Sequence, residues 1–315
     1  KESINSIKYY APKFYETQNR AVTLNDYIAV LQKEYSGSIK SIYAWGGEDN
    51  IPPEYGKIFV SIKPTSGLYL SSREKNILEN DILYSRGVVT VSPRIVDPDY
   101  LFISMELNVK YDADDIDISP ESLLDIINVY IRNFGIDNLE AFQKNYYSSM
   151  MNRNILDLNR YIRSSTVKIN ISKNIKPIFN TKTTYTINFE NSLTTQTDSY
   201  SIISSDFYTY GLGPRSSDLP SVLCYFKDDN KGKISLYEKN TDRKIKDKYG
   251  EIDYSTGIIK IRGANFLLGP SLEKYEIKVR AKPLDTDVLS KRNTILSIDM
   301  SELKINLVPV EFNRI

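Results

Sequence analysis

Apolar residues recur at two spacings in the first half of the chain and at one in the second. Leu24, Tyr27, Ile28, Leu31 and Tyr35 stand three and four apart, which lines one helical face. Thr23-x-x-Asp26 ahead of them is a capping-box pattern, and Gly37 can take the left-handed conformation that ends a helix. A short strand is expected at 39–45. Gly46-Gly47 and Pro52-Pro53 then force an exposed loop. Beyond it, Ile58, Val60 and Ile62 alternate with Lys57, Phe59, Ser61 and Lys63, the period of a half-buried strand. Ser71-x-x-Glu74 opens a second helix over 72–84, with Ile77, Leu78 and Ile82 inward, and Val88–Val91 reads as a strand. The order is helix, strand, strand, helix, strand.

A second block follows. Leu101, Ile103, Met105, Leu107, Val109 and Tyr111 alternate with polar neighbours and predict a long strand. Ser119-Pro120-Glu121 supplies a cap, a preset first turn and an acid at the positive helix end. Leu123, Ile126, Ile127, Tyr130, Ile131 and Phe134 make its stripe, and Gly135 is its expected stop. A further helix at 145–157 and a strand through Val167, Ile169 and Ile171 complete a strand, helix, helix, strand unit. From residue 176 the helical stripes vanish. Short strands recur at 183–190, 199–204, 221–226, 233–239, 251–254, 258–262, 274–282 and 294–299, with a Gly257 hairpin between the fifth and sixth. Residues 191–199 and 211–220 read as exposed loops. The fold class is therefore α+β: two small α/β units followed by a β-rich sandwich or barrel-like domain. The divisions are an extended arm at 1–19, where Pro12 blocks a long helix, a first α+β domain at 20–96, a second at 97–175, and the β-rich domain at 176–315.

Composition narrows the chemistry. The 315 residues carry a formal net charge of +1, so no basic field exists to attract nucleic acid or an anionic membrane. No apolar run approaches a membrane span. Histidine is absent, which removes the commonest general base and metal ligand. Cys224 is the single cysteine, so no internal disulfide or thiolate cluster forms, and its run Val222–Phe226 favours a buried small side chain over a reactive thiol.

The remaining motifs fail their tests. The acidic run Asp112–Asp117 lacks the glycine and terminal glutamate of an EF-hand and reads as a solvated loop before a helix. Gly211-x-Gly213-Pro214 lacks the third glycine of a dinucleotide fingerprint, and Gly46-Gly47 is followed by no phosphate-loop lysine. Catalytic, cofactor-binding and metal residues are therefore expected to be none, and no enzymatic activity is expected. The 24 tyrosines suit protein contacts or sugar stacking, and equally the codon bias of an AT-rich genome. Tyr43, Trp45 and Tyr55, beside the glycine-rich loop, are the candidate interface residues. Trp45 is either a partner anchor or simple core packing.

Several blocks stand in a familiar order. They are Arg20-Ala21-Val22-Thr23 with Asp26-Tyr27, Tyr55-Gly56-Lys57 leading into Phe59–Pro64, Ser66–Leu70, and Asp97–Ile103. On these the chain resembles the baseplate wedge proteins of contractile-tailed bacteriophages, the baseplate J-like group, over roughly its first third. Because family members have a sizeable part before this region and the sequence starts at Lys1, the resemblance implies that the chain is expected to be a C-terminal portion. The resemblance implies a virion protein assembled in the host cytoplasm. It would pair with itself as a homodimer or ring and with other wedge subunits, and rearrange to permit sheath contraction. Junctions at 95–99 and 173–181, with Pro93, Pro98 and Pro177, are the candidate hinges. A carbohydrate- or receptor-binding tail module, using Tyr208 or Tyr210, is the alternative.

Overall fold

A computed structural model describes residues 4–50, 52–113, 117–195, 200–210, 221–267 and 276–310. They group into two compact units. The first comprises 1–99 with 140–144 and 290–295, and the second holds the rest.

In the first unit α1 (Ile4–Thr17) and α2 (Leu24–Glu34) precede β1 (Ile39–Gly46), β2 (Lys57–Pro64), α3 (Ser72–Asn76) and β3 (Ser92–Val96). The capping boxes form as their spacing demands. Thr23 accepts from the Asp26 amide while the Asp26 carboxylate takes the Thr23 amide, and Ser71 and Glu74 repeat the exchange. After Asn76 the helix widens into a π-helical stretch over Ile77–Tyr84. The sheet order is β1-β2-β3, with β1 antiparallel and β3 parallel to β2. Tyr27, Leu31, Val60, Ile62, Leu78 and Leu83 are its buried centre.

Two expectations are corrected here. Residues 1–19 are not an extended arm, because Ile4–Thr17 is helical with Pro12 inside it. Pro12 forfeits one backbone bond, yet the helix forms, with Ile7, Tyr10, Ala11 and Phe14 on one side towards α2. The strand expected at Val88–Val91 is a turn, closed by the Val91 amide on the Val88 carbonyl, with Val89 98% exposed. The strand starts at Ser92, where the backbone meets β2 at Lys57. Tertiary pairing overrides the local preference of valine.

The second unit contains β4 (Asp99–Asp112), α4 (Pro120–Phe134), α5 (Ser148–Leu158) and β5 (Ile162–Ile175). It continues with β6 (Thr183–Asn188), β7 (Ile202–Ser204), β8 (Phe207–Tyr210), β9 (Ser221–Asp228), β10 (Lys233–Glu238), β11 (Lys244–Asp253), β12 (Ile258–Ala264), β13 (Ile277–Ala281), β14 (Thr294–Ile298) and β15 (Lys304–Val310). All six alternating positions of β4 are buried. Ser119 caps α4 and Pro120 opens it; Leu123, Ile127, Ile131 and Phe134 are buried, whereas Ile126 is not. Each buried side chain contributes about 1.5–3 kcal/mol. Gly135 does not stop α4 by turning left-handed. Its backbone stays helical at φ −58°, and a Cβ there would come within 3.3 Å of Ile298. The glycine serves close packing.

The strands after residue 176 do not form a separate sandwich. They join β4 and β5 in one mixed sheet of order β14-β4-β5-β13-β7-β9-β10-β11-β12-β6, with β15 parallel to β4 and β8 on β9. The reason is pairing: β13 runs antiparallel to β5 across the 175/176 boundary, over Ile277↔Ile175 to Ala281↔Ile171. One side of this sheet carries the apolar core, from Ile103 through Ile171, Ala281 and Ile202 to Phe226.

Candidate interaction surfaces

Tyr43 and Trp45 lie two apart on β1 and so share a face. Their rings stack at 5.8 Å, Trp45 stacks on Phe59 at 5.6 Å, and Phe142 leans on Tyr43 at 6.0 Å. Trp45 is only 7% exposed, and its indole nitrogen donates to Asn50 Oδ1 at 2.9 Å. Core packing, the second of the two readings of Trp45, describes this environment. Tyr43 is half-buried, while Tyr55 is 80% exposed in the loop between β1 and β2. The structure therefore gathers Tyr43 and Trp45 into one stack and leaves Tyr55 in solvent. Gly47 holds that loop, since its carbonyl accepts from the Asn50 and Glu54 amides. A Cβ there would meet the Glu54 carbonyl at 2.0 Å. Lys57, 2.7 Å away, holds the Glu54 carboxyl below its usual range.

The first unit also presents an apolar groove between α1 and α2, lined by Ile7, Tyr10, Ala11, Phe14 and Ala29. Lys33 lies over the Phe14 ring at 3.8 Å and Lys13 over Tyr9 at 3.7 Å.

On the second unit the side of the sheet opposite the core is polar. Strand register sets one row across it: Phe102, Ser172, Arg280, Ile203, Lys227 and Ser235 are successive cross-strand neighbours. The turn Met300–Glu302 ties down to this row. Arg280 Nε donates to Glu302 at 3.0 Å, and Lys278 bridges Glu302 at 2.7 Å and Asp299. Burial pushes the Asp299 and Glu302 carboxyls up, but the hydrogen bonds from these cations outweigh it and hold both below the usual range. Beside the turn a cleft of about 610 Å³ opens over β7, β9 and β13.

Chemistry-bearing residues elsewhere are structurally occupied. Asp112 is buried and ion-paired to Arg163 at 2.9 Å, and Asp117 binds Arg160 and Tyr161. Asp114 and Asp115 lie outside the described residues, as does Gly211-x-Gly213-Pro214. Among the described residues no group of three or more acidic or cysteine side chains gathers to hold a metal. Burial, with Glu238 nearby, pushes the Cys224 thiol up to about 12, so it packs as a small apolar side chain. Tyr208 and Tyr210 are half-buried on β8. The polar row escaped sequence reasoning because its members come from six separate strands. The alternation of each strand was its only signal.

Residues 23–96 match the family model described as baseplate structural protein gp6, C-terminal domain I. Residues 99–174 match C-terminal domain III of the same protein. These models name gp6 rather than the baseplate J-like group. Baseplate wedge protein gp6 of Enterobacteria phage T4 is 26% identical over 180 residues, 57% of this chain and 26% of that protein. The chain thus spans about a quarter of the length of that relative. Among solved structures, a chain of the anti-feeding prophage baseplate covers 53% of this chain with 37% of its own length, at 13% identity and a TM-score of 0.40. That score carries no argument about the fold. Residues 23–174 are similar, domain by domain and in the same chain, to the C-terminal portion of a baseplate wedge protein.

Proposed function

We propose that this chain is a structural part of a phage tail baseplate wedge, acting by gripping neighbouring subunits without making or breaking bonds. The observation that carries this reading is the pair of consecutive matches at 23–96 and 99–174, both to domains of one baseplate structural protein. In this reading the protein resides in the virion tail, having been assembled in the host cytoplasm. It pairs with copies of itself and with other wedge subunits in a ring that rearranges when the sheath contracts. A stable contact of this kind buries about 800 Å² per partner. The segment 20–96 is one docking body and 97–175, in one sheet with the strands that follow it, is the other, with a hinge at Asp97-Pro98 between β3 and β4. Tyr55 is the exposed aromatic anchor, and the Tyr43–Trp45 stack stiffens the strand behind it.

The test is co-expression with neighbouring tail proteins, followed by affinity capture and light scattering. A dimer or larger species that co-purifies with a tail protein is expected. Tyr55→Ala is expected to weaken capture several-fold with no change in melting temperature. A strictly monomeric chain that captures no tail protein overturns the reading.

A further inference from the structure

The cleft over β7, β9 and β13 is built rather than incidental. Its floor is strand backbone already paired on both sides, since Ile203 meets Arg280 on one flank and Lys227 on the other. Ser204 Oγ accepts from the Phe226 amide at 2.9 Å and Ser205 Oγ from the Lys278 amide at 3.0 Å, so the floor is rigid. Two aromatic side chains line it: Tyr225, whose ring stacks on Tyr237 at 5.8 Å, and Tyr200, with Lys282 above it at 5.2 Å. The rim carries three cations, and each has a carboxylate. Lys227 pairs with Asp242 at 3.2 Å, Lys239 with Asp206 at 3.2 Å, and Arg280 with Glu302.

These features select a ligand class. The three rim cations and their three carboxylates largely cancel, which disfavours a phosphate-rich or otherwise strongly charged ligand even with Lys282 beside Tyr200. The pairs nonetheless present donors and acceptors side by side, the arrangement that hydroxyl groups satisfy by accepting from one partner and donating to the other. Tyr225 is buried against Tyr237 with its hydroxyl on Asp242, so the half-buried Tyr200 is the ring that offers apolar area to the C–H side of a sugar. A peptide cannot add to the sheet here as a further strand, since the strands beneath the cleft are already paired on both flanks. The volume lies within the range of small-ligand sites.

We propose that this cleft binds an uncharged oligosaccharide. The proposal goes beyond the structural role above and rests on different residues, so either survives the failure of the other. The experiment probes the whole chain against an array of neutral and uronic-acid-containing oligosaccharides. The best neutral binder is then titrated by calorimetry at low and high salt. Binding to a neutral oligosaccharide, unchanged by salt, is expected. Tyr200→Ala is expected to weaken it at least about tenfold. Lys239→Gln, at an exposed position, and Asp206→Asn, at a half-buried one, are expected to weaken it several-fold with the melting temperature unchanged. Tyr84→Ala, on the first unit, is expected to leave it unchanged. Three results overturn the proposal: no binding to any neutral sugar, binding only to acidic sugars with affinity that falls with salt, or binding indifferent to the Lys239 and Asp206 variants. Occupation of the cleft by a peptide, read as loss of peptide binding in Tyr200→Ala, also overturns it.

Discussion

Asp228 shows how single side chains hold the second unit together. It is 4% exposed and accepts from the Ser201 and Ile202 amides, both at 2.8 Å, and from the Tyr254 hydroxyl at 2.7 Å. One carboxylate thus ties the start of β7 to the end of β9 and to the β11–β12 hairpin. Removing it strands two buried amides and a half-buried hydroxyl, so Asp228→Ala is expected to cost about 3 kcal/mol by urea denaturation. Tyr146 predicts the opposite. Its ring is fully buried, and its hydroxyl has no hydrogen-bond partner among the described residues. Burial, with Asp287 nearby, pushes that hydroxyl well above its usual range. Tyr146→Phe is therefore expected to be neutral or to stabilise by up to about 1 kcal/mol in the same measurement. Neither role was legible in the sequence, where Asp228 is the first of an Asp-Asp-Asn turn and Tyr146 one of many tyrosines. The caps were legible. Thr23, Ser71 and Ser119 bond within three residues of themselves, so spacing alone specifies the geometry.

At the scale of elements, β15 is held by one neighbouring strand and by a charge cluster at its beginning. It runs parallel to β4 from Lys304↔Glu106 to Val310↔Asp112. Just before it, Asp299 and Glu302 clamp onto Lys278 and Arg280 of β13. Because both carboxyls are held below their ordinary range, the fold favours their charged forms. Their stabilisation is complete above the ordinary carboxylate range, about pH 4–5, and is lost as pH falls through their lowered values. Glu302→Gln is expected to cost about 1–2 kcal/mol at neutral pH, a partly exposed pair being worth less than a buried one. The melting-temperature difference from the unaltered protein is expected to vanish in acid. A difference that persists undiminished at low pH rules the clamp out. The Ile305–Leu307 alternation of β15 is present in the sequence, but Pro309 reads as a break. An edge strand tolerates that proline where a central strand would not.

At the scale of the whole chain, the first unit is discontinuous. Residues 140–144 belong to it although the chain around them belongs to the second. There Lys40 pairs with Glu140 at 3.2 Å, Ser41 Oγ accepts from the Phe142 amide at 3.2 Å, and the Phe142 ring rests on Tyr43. A cut near residue 96 thus omits part of the folding unit. Phe142→Ala is expected to destabilise the first unit by about 3 kcal/mol, read from the tryptophan fluorescence of Trp45 during unfolding. An unchanged transition argues against Phe142 as part of that core. The similarity to gp6 ends domain I at 96 and starts domain III at 99. Those limits follow sequence order, whereas the packing does not.

Short-range physics lies open in a linear sequence. The capped helix starts, the alternation of β4, the burial of Cys224 and the blocks resembling a baseplate wedge protein were all readable, because each depends on residues a few positions apart or on one strand's own period, whereas β2, expected to be half-buried, buries both faces from Phe59 to Pro64. Tertiary structure alone decided the rest. It folded Ile4–Thr17 into a helix despite Pro12, moved the third strand of the first sheet from Val88 to Ser92, and carried β13 back to β5 so that no separate sandwich formed. It also set Tyr200, Tyr225, Lys239 and Arg280 around one cleft from separate segments of the chain. In each case the deciding contact joins segments distant in the chain, and local preference, worth about 1 kcal/mol or less per residue, yields to the burial and pairing such contacts bring.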